Sequence, residues 1–137
     1  MTDEQLNARK GNVLIVDDTL PNLRVLAKML TQNGYLVRGV PSGAMALAAA
    51  TSEPPDLILL DIMMPGIDGF NVCKELKADP STHNIRVLAM TGYPSVENVD
   101  RILQAGAELC LEKPIDTGRL LDLLRLEQRQ GFAHAHS

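Results

Sequence analysis

The sequence predicts an α/β protein: one doubly wound, five-stranded parallel sheet with five helices. Two observations carry this. Five short runs rich in Val, Ile and Leu alternate strictly with segments of helical period or small-residue composition. Such alternation requires right-handed crossovers, and so a parallel sheet covered by helices on both faces. A third observation sets the count of domains. No repeat, linker or low-complexity segment divides the 137 residues, and a single domain of roughly 100–150 residues holds a core unaided.

The elements follow in order. Residues 1–11 are polar and read as a flexible lead-in to a domain spanning 12–129. Asn12 to Val16 is a continuous apolar run of buried-strand type, ending at Asp17-Asp18. Leu20, Leu23, Leu26 and Leu30 then form a helical stripe, with Thr19 as its cap, Pro21 in its first turn and Asn33-Gly34 as its stop. Tyr35 to Val40 is the second strand, and Pro41-Ser42-Gly43 leads into an Ala-rich helix from Ala44 to about Ser52. Glu53-Pro54-Pro55 breaks it. Asp56 to Leu60 gives a third strand ending at Asp61, and a loop through Met63-Met64-Pro65-Gly66 leads to a helix over about Gly69–Ala78. Ile85 to Met90 is the fourth strand, ending at Thr91-Gly92, and a helix runs from about Ser95 to Ala105 before Gly106. Strand five, Glu108 to Glu112, ends at Lys113-Pro114, and the last helix runs from near Asp116 to about Gln128. Residues 130–137 read as a disordered tail.

Composition excludes several function classes. Lys and Arg number 13 against 17 Asp and Glu, a net charge of −4, and aromatics are only 3%, so neither a nucleic-acid footprint nor a base-stacking surface is expected. The longest apolar stretches, such as Leu57-Ile58-Leu59-Leu60, are far too short to span a bilayer, and the N-terminal residues lack the apolar core of a signal peptide. A cytoplasmic protein is expected. Two distant cysteines, Cys73 and Cys110, make neither a disulfide frame nor a metal-ligand spacing, and Cys73 reads as plain packing. His83 falls in a loop, and His134 and His136 fall in the solvated tail.

The chemistry collects at the strand ends. In an open parallel sheet, ligands bind outside the carboxyl ends of the strands. Asp17, Asp18, Asp61, Thr91 and Lys113 all fall there. Single polar residues merely mark where strands meet water, but five of this kind on one edge make a site. Three clustered carboxylates repel unless a cation intervenes, and hard oxygen ligands suit Mg²⁺. A carboxylate is also a competent nucleophile toward phosphorus. A lysine point charge and a hydroxyl neutralise the oxygens of a transferring phosphoryl group.

The runs VLIVDD at 13–18, LILLDIMMPGIDG at 57–69, MTG at 90–92 and EKP at 112–114 resemble a response-regulator receiver domain of two-component signalling. The resemblance covers about residues 11–128. It implies a flavodoxin-like strand order of 2-1-3-4-5. It also implies that Asp61 is the phosphoacceptor and that Asp17, Asp18 and Asp61, with the backbone carbonyl of Met63, hold Mg²⁺. Thr91 then resembles the switch hydroxyl, and Lys113 the ammonium that pairs with the phosphoryl group, next to a Pro114 bond that is often cis in this family. The implied partners are a histidine kinase or histidine phosphotransfer protein and a downstream protein target. The protein would act as a signalling phosphoacceptor that catalyses its own phosphotransfer and dephosphorylation, rather than as an enzyme of metabolism.

One position departs from the family pattern: Cys110 stands where most receivers carry Tyr or Phe, so coupled motion of Thr91 with an aromatic ring is not expected. Met63 and Tyr93, two residues beyond Asp61 and Thr91, flank the path of attacking water in this family and offer it no carboxylate or amide. A long-lived aspartyl phosphate follows. The last helix carries Leu120, Leu121, Leu123, Leu124 and Leu126, a wider apolar arc than docking on one sheet face needs, so a homodimer contact around Leu123 and Leu126 stands beside simple packing. Two other functions compete. A haloacid-dehalogenase-type phosphatase would end strand one in Asp-x-Asp, where this chain has Asp17-Asp18-Thr19, and would need a cap domain. A non-phosphorylated interaction module would have lost an acidic residue or the lysine.

Overall fold

Short apolar runs become five strands, the three central ones buried almost throughout and the two edge strands only in part. The computed structural model describes residues 11–63 and 69–125. The strands are β1 (Asn12–Val16), β2 (Leu36–Val40), β3 (Leu57–Asp61), β4 (Arg86–Thr91) and β5 (Leu109–Glu112). They alternate with α1 (Leu20–Gln32), α2 (Gly43–Ser52), α3 (Gly69–Ala78) and α4 (Val96–Gln104), and a fifth helix, α5, covers 117–125. The expected lead-in, the tail and the end of the last helix lie outside the described residues.

All four strand pairings are parallel, and the sheet order is β2-β1-β3-β4-β5. Strand alternation divides the core in two. Val13 and Ile15 of β1, Leu57 and Leu59 of β3, and Leu88 and Met90 of β4 pack on one face with Leu26 and Leu30 of α1 and Leu120 and Leu124 of α5. Leu14 and Val16, Ile58 and Leu60, and Val87 and Ala89 pack on the other face with α2, α3 and α4, through Ala46, Ala50, Val72, Cys73, Leu76 and Ile102. The small side chains of α2 let it lie close to the sheet, as its composition predicts.

Helix ends follow local chemistry. Gly34 (φ 96°) and Gly106 (φ 115°) close α1 and α4 in the left-handed region that glycine adopts without penalty. At α1 the Tyr35 N–H donates to the Leu30 carbonyl and the Gly34 N–H to Thr31. At α4 Ala107 and Gly106 repeat the pattern on Ile102 and Leu103. Tyr35 is thereby drawn into the helix end, so β2 starts one residue later than its β-type sequence predicts. Ser42 and Ser95 accept from Met45 N and Asn98 N as side-chain caps, and Asp116 accepts from Arg119 N at the start of α5.

Two expectations at the start of α1 fail. Thr19 sits in the cap position, but its hydroxyl caps no backbone N–H. Pro21 has removed the N–H at the second helical position, one of the two amides a cap serves. Leu20, expected in the buried stripe, is 54% exposed, because the first turn of α1 stands at the carboxyl edge of the sheet. In α5, Leu120 and Leu124 are buried and Leu121 and Leu123 are partly buried against the same core, so the wide apolar arc is mostly used within the fold. Leu126 lies outside the described residues.

Candidate functional site

The parity that fills the core also aims the site. Asp17 continues the series Val13, Ile15; Asp61 continues Leu57, Leu59; Lys113 continues Leu109, Leu111. All three therefore leave the carboxyl edge on the α1–α5 side. Thr91 continues Val87 and Ala89 on the opposite side, the side on which Cys110 packs.

Asp17 and Asp61 are buried. The Lys113 Nζ donates to Asp17 Oδ2 at 2.8 Å and to Asp61 Oδ2 at 2.9 Å, residues that lie 96 and 52 positions before it in the chain. Each carboxylate keeps its second oxygen oriented by a backbone amide two residues on: Thr19 N donates to Asp17 Oδ1, and Met63 N donates to Asp61 Oδ1, both at 2.9 Å. Burial acts to lower the pKa of Lys113, but hydrogen bonds and charge from Asp17 and Asp61 outweigh it, so the pKa of this ammonium is raised. The Lys113–Pro114 bond is cis.

Asp18 is exposed, at the rim. Carboxylate oxygens of Asp17, Asp18 and Asp61 lie within 4.8 Å of one another. Three carboxylates against one bridging ammonium leave a formal charge of −2 (−3 plus +1) in a small volume. Hard, anionic oxygen donors with that residual charge fit a divalent cation such as Mg²⁺, which prefers one or two carboxylates and retains waters.

Thr91 is buried, and its Oγ1 accepts from Tyr93 N at 3.0 Å, which leaves the hydroxyl proton available as a donor. The backbone places it one residue beyond Met90, the β4 partner of Asp61, and its carbonyl accepts from Lys113 N at 2.8 Å. Cys110 lies opposite Ala89 and is half-buried against the α2–α4 side of the core, with burial pushing its thiol pKa up. Met63 (49% exposed) and Tyr93 (77% exposed) stand at the mouth. Cys73 is fully buried and donates from Sγ to the Ala105 carbonyl, a packing role as expected.

Asp17, Asp18, Asp61 and Lys113 thus meet in one cluster, Thr91 lies beside it on the next strand, and Met63 enters through its backbone N–H. Sequence reasoning missed the orienting amides of Thr19 and Met63, because a backbone donor has no side-chain signature. It also passed over Gly69, where a Cβ would lie 2.6 Å from Ile62 Cα.

Comparison with known proteins agrees with this fold. A family model described as the response regulator receiver domain matches residues 13–125. Over 115 residues the chain is 43% identical to the response regulator PleD of Caulobacter vibrioides, covering 84% of this chain and 25% of PleD. It therefore spans a quarter of that relative's length. It is 34% identical over 114 residues to the polar-differentiation response regulator DivK of Brucella ovis, covering 83% of this chain and 93% of DivK. Among solved structures, a CheY-like receiver domain protein from Methanospirillum hungatei superposes with a TM-score of 0.83 at 27% identity, over 90% of this chain and 97% of that one.

Proposed function

The chain belongs to the response regulator receiver domain family, and on that premise we propose that Asp61 takes a phosphoryl group from a phosphohistidine and thereby switches a protein-binding surface. The observation that carries this reading is the Lys113 ammonium held between two buried carboxylates, one of them Asp61, beside a third carboxylate. Receiver domains are signalling phosphoacceptors that interact with histidine kinases and downstream targets. The donor here would be a histidine kinase or a histidine phosphotransfer protein.

In the transfer, an Asp61 carboxylate oxygen bonds to phosphorus as the phosphorus–nitrogen bond of the donor histidine breaks. The imidazole leaves with the electron pair and takes up a proton. Met63 N–H holds the carboxylate in one orientation, so little of it need be reorganised at the moment of attack. Lys113, already against Asp61 Oδ2, moves only a short way to meet a phosphoryl oxygen, and the Thr91 hydroxyl donates to another. Asp17, Asp18, Asp61 and the Met63 carbonyl would hold Mg²⁺, which supplies positive charge to the phosphoryl oxygens. With Cys110 opposite Ala89, inward motion of Thr91 would be read out by the backbone of the β4–α4 segment rather than by a ring on β5. Exposed Leu20 and Val25 on α1, beside the site, offer apolar contact to the donor protein.

Intact mass after incubation with Mg²⁺ and acetyl phosphate tests the reading. A single phosphoryl adduct that requires Mg²⁺ and is absent from Asp61→Asn is expected. No adduct on the wild type under any condition would reduce the chain to an interaction module on a receiver scaffold.

A further inference from the structure

We propose that Gly69, the first residue of α3, is a positioning residue for the phosphoacceptor turn: its missing side chain sets how closely α3 abuts residues 61–63. This rests on the assignment of Asp61 given above.

Gly69 is buried, and a Cβ built on it would lie 2.6 Å from Ile62 Cα, 3.1 Å from the Asp61 carbonyl oxygen and 3.2 Å from Ile62 Cβ. Two of these neighbours are backbone atoms, and none is the tip of a flexible chain, so no rotamer change removes the overlap. Gly39 and Gly106 differ in this respect: their nearest neighbours are the side chains of Leu23 and Lys77. One of the two sides must give way, and both are anchored.

On the strand side, Ile62 N donates to the Met90 carbonyl at 3.0 Å and the Ile62 side chain is buried in the core. On the helix side, Phe70, Val72, Cys73 and Leu76 are buried in that same core, and the Arg101 guanidinium lies 4.2 Å from the Phe70 ring centre. The helix presents four buried side chains and the turn presents two, Asp61 and Ile62. Displacement therefore goes mainly into the turn. That turn carries the Met63 N–H bonded to Asp61 Oδ1 and the Met63 carbonyl assigned to the metal. A shift near 1 Å in such a group can cost about a hundredfold in rate even when the reacting residues are unchanged.

The test compares Gly69→Ala with Val72→Ala, which removes buried volume from the same helix one turn away from the site. Thermal unfolding, Mg²⁺ affinity by isothermal titration, and the initial rate of phosphorylation by acetyl phosphate at saturating Mg²⁺ are measured for both and for the wild type. Gly69→Ala is expected to fold, to bind Mg²⁺ at least tenfold more weakly and to phosphorylate about a hundredfold more slowly. Val72→Ala is expected to lose stability while keeping the wild-type Mg²⁺ affinity and rate. Equal Mg²⁺ affinity and rate in Gly69→Ala and the wild type overturn the proposal. So does a parallel loss in Val72→Ala, or a Gly69→Ala chain that does not fold, since either makes Gly69 a requirement of folding alone. A wild type that takes no phosphoryl group instead overturns the assignment of Asp61.

Discussion

Met63 and Tyr93 frame the mouth of the site with an apolar thioether and a largely exposed ring, and neither side chain carries a carboxylate or an amide. A long-lived aspartyl phosphate is therefore expected. The double substitution Met63→Asn, Tyr93→Glu introduces groups able to hold that water and should shorten the lifetime several-fold, as followed by decay of the intact-mass adduct. An unchanged lifetime would contradict the role given to both positions. Away from the site, Asp79 Oδ1 accepts from the Ser81 N–H and hydroxyl, both at 2.8 Å, and these bonds hold its carboxyl below the ordinary value. A carboxyl depressed in the folded state stabilises the fold above its unfolded pKa, and that contribution disappears as pH falls through the lower, folded value. By NMR titration Asp79 should show a midpoint below that of an ordinary aspartate. Ser81→Ala should raise that midpoint part of the way, because the backbone donor survives.

Among the elements, the caps separate what sequence shows from what only geometry decides. Ser42 and Thr19 are both good capping residues in extended conformation, yet only Ser42 bonds a backbone amide. Ser42→Ala should cost about 1 kcal/mol, whereas Thr19→Ala should cost a few tenths or less by denaturant unfolding. Equal losses would show that the Thr19 hydroxyl does cap α1. Strand identity was legible because Val13–Val16, Leu57–Leu60 and Val87–Met90 have no polar face, which only a doubly covered sheet tolerates. Ends were legible to within a residue, and Tyr35 shows why not better: a β-type residue was claimed by the helix stop at Gly34. Strand order was not contained in the hydrophobic pattern and came only through the family resemblance. In the site, Asp17, Asp61 and Lys113 were legible as polar residues at the carboxyl ends of apolar strands. Gly69 was not, because its contribution is an absent atom.

For the molecule as a whole, folding gathers groups that are distant in the chain. Lys113 meets Asp17 across 96 residues, so the acidic cluster exists only in the folded state. A cation that binds the folded state alone stabilises it by mass action, about 2.7 kcal/mol at a hundredfold excess over Kd. Mg²⁺ should accordingly raise the unfolding temperature, and a chelator should reverse the rise. Asp18→Asn should remove most of the Mg²⁺-dependent rise without lowering the metal-free midpoint, because Asp18 is exposed and its charge only adds to the repulsion within the cluster. A full Mg²⁺ response in that variant would exclude Asp18 from the metal site. The described helices include none long and apolar enough to cross a membrane.

An acyl phosphate should form at Asp61 and at no other residue of the sheet edge. Borohydride reduction of the phosphorylated chain, followed by peptide sequencing in a mass spectrometer, reads this directly, because an aspartyl phosphate is reduced to homoserine. Homoserine at position 61, dependent on Mg²⁺ and on the phosphodonor, is the result expected. Homoserine at position 17 or 18, or a phosphoryl group that borohydride does not remove, would contradict it.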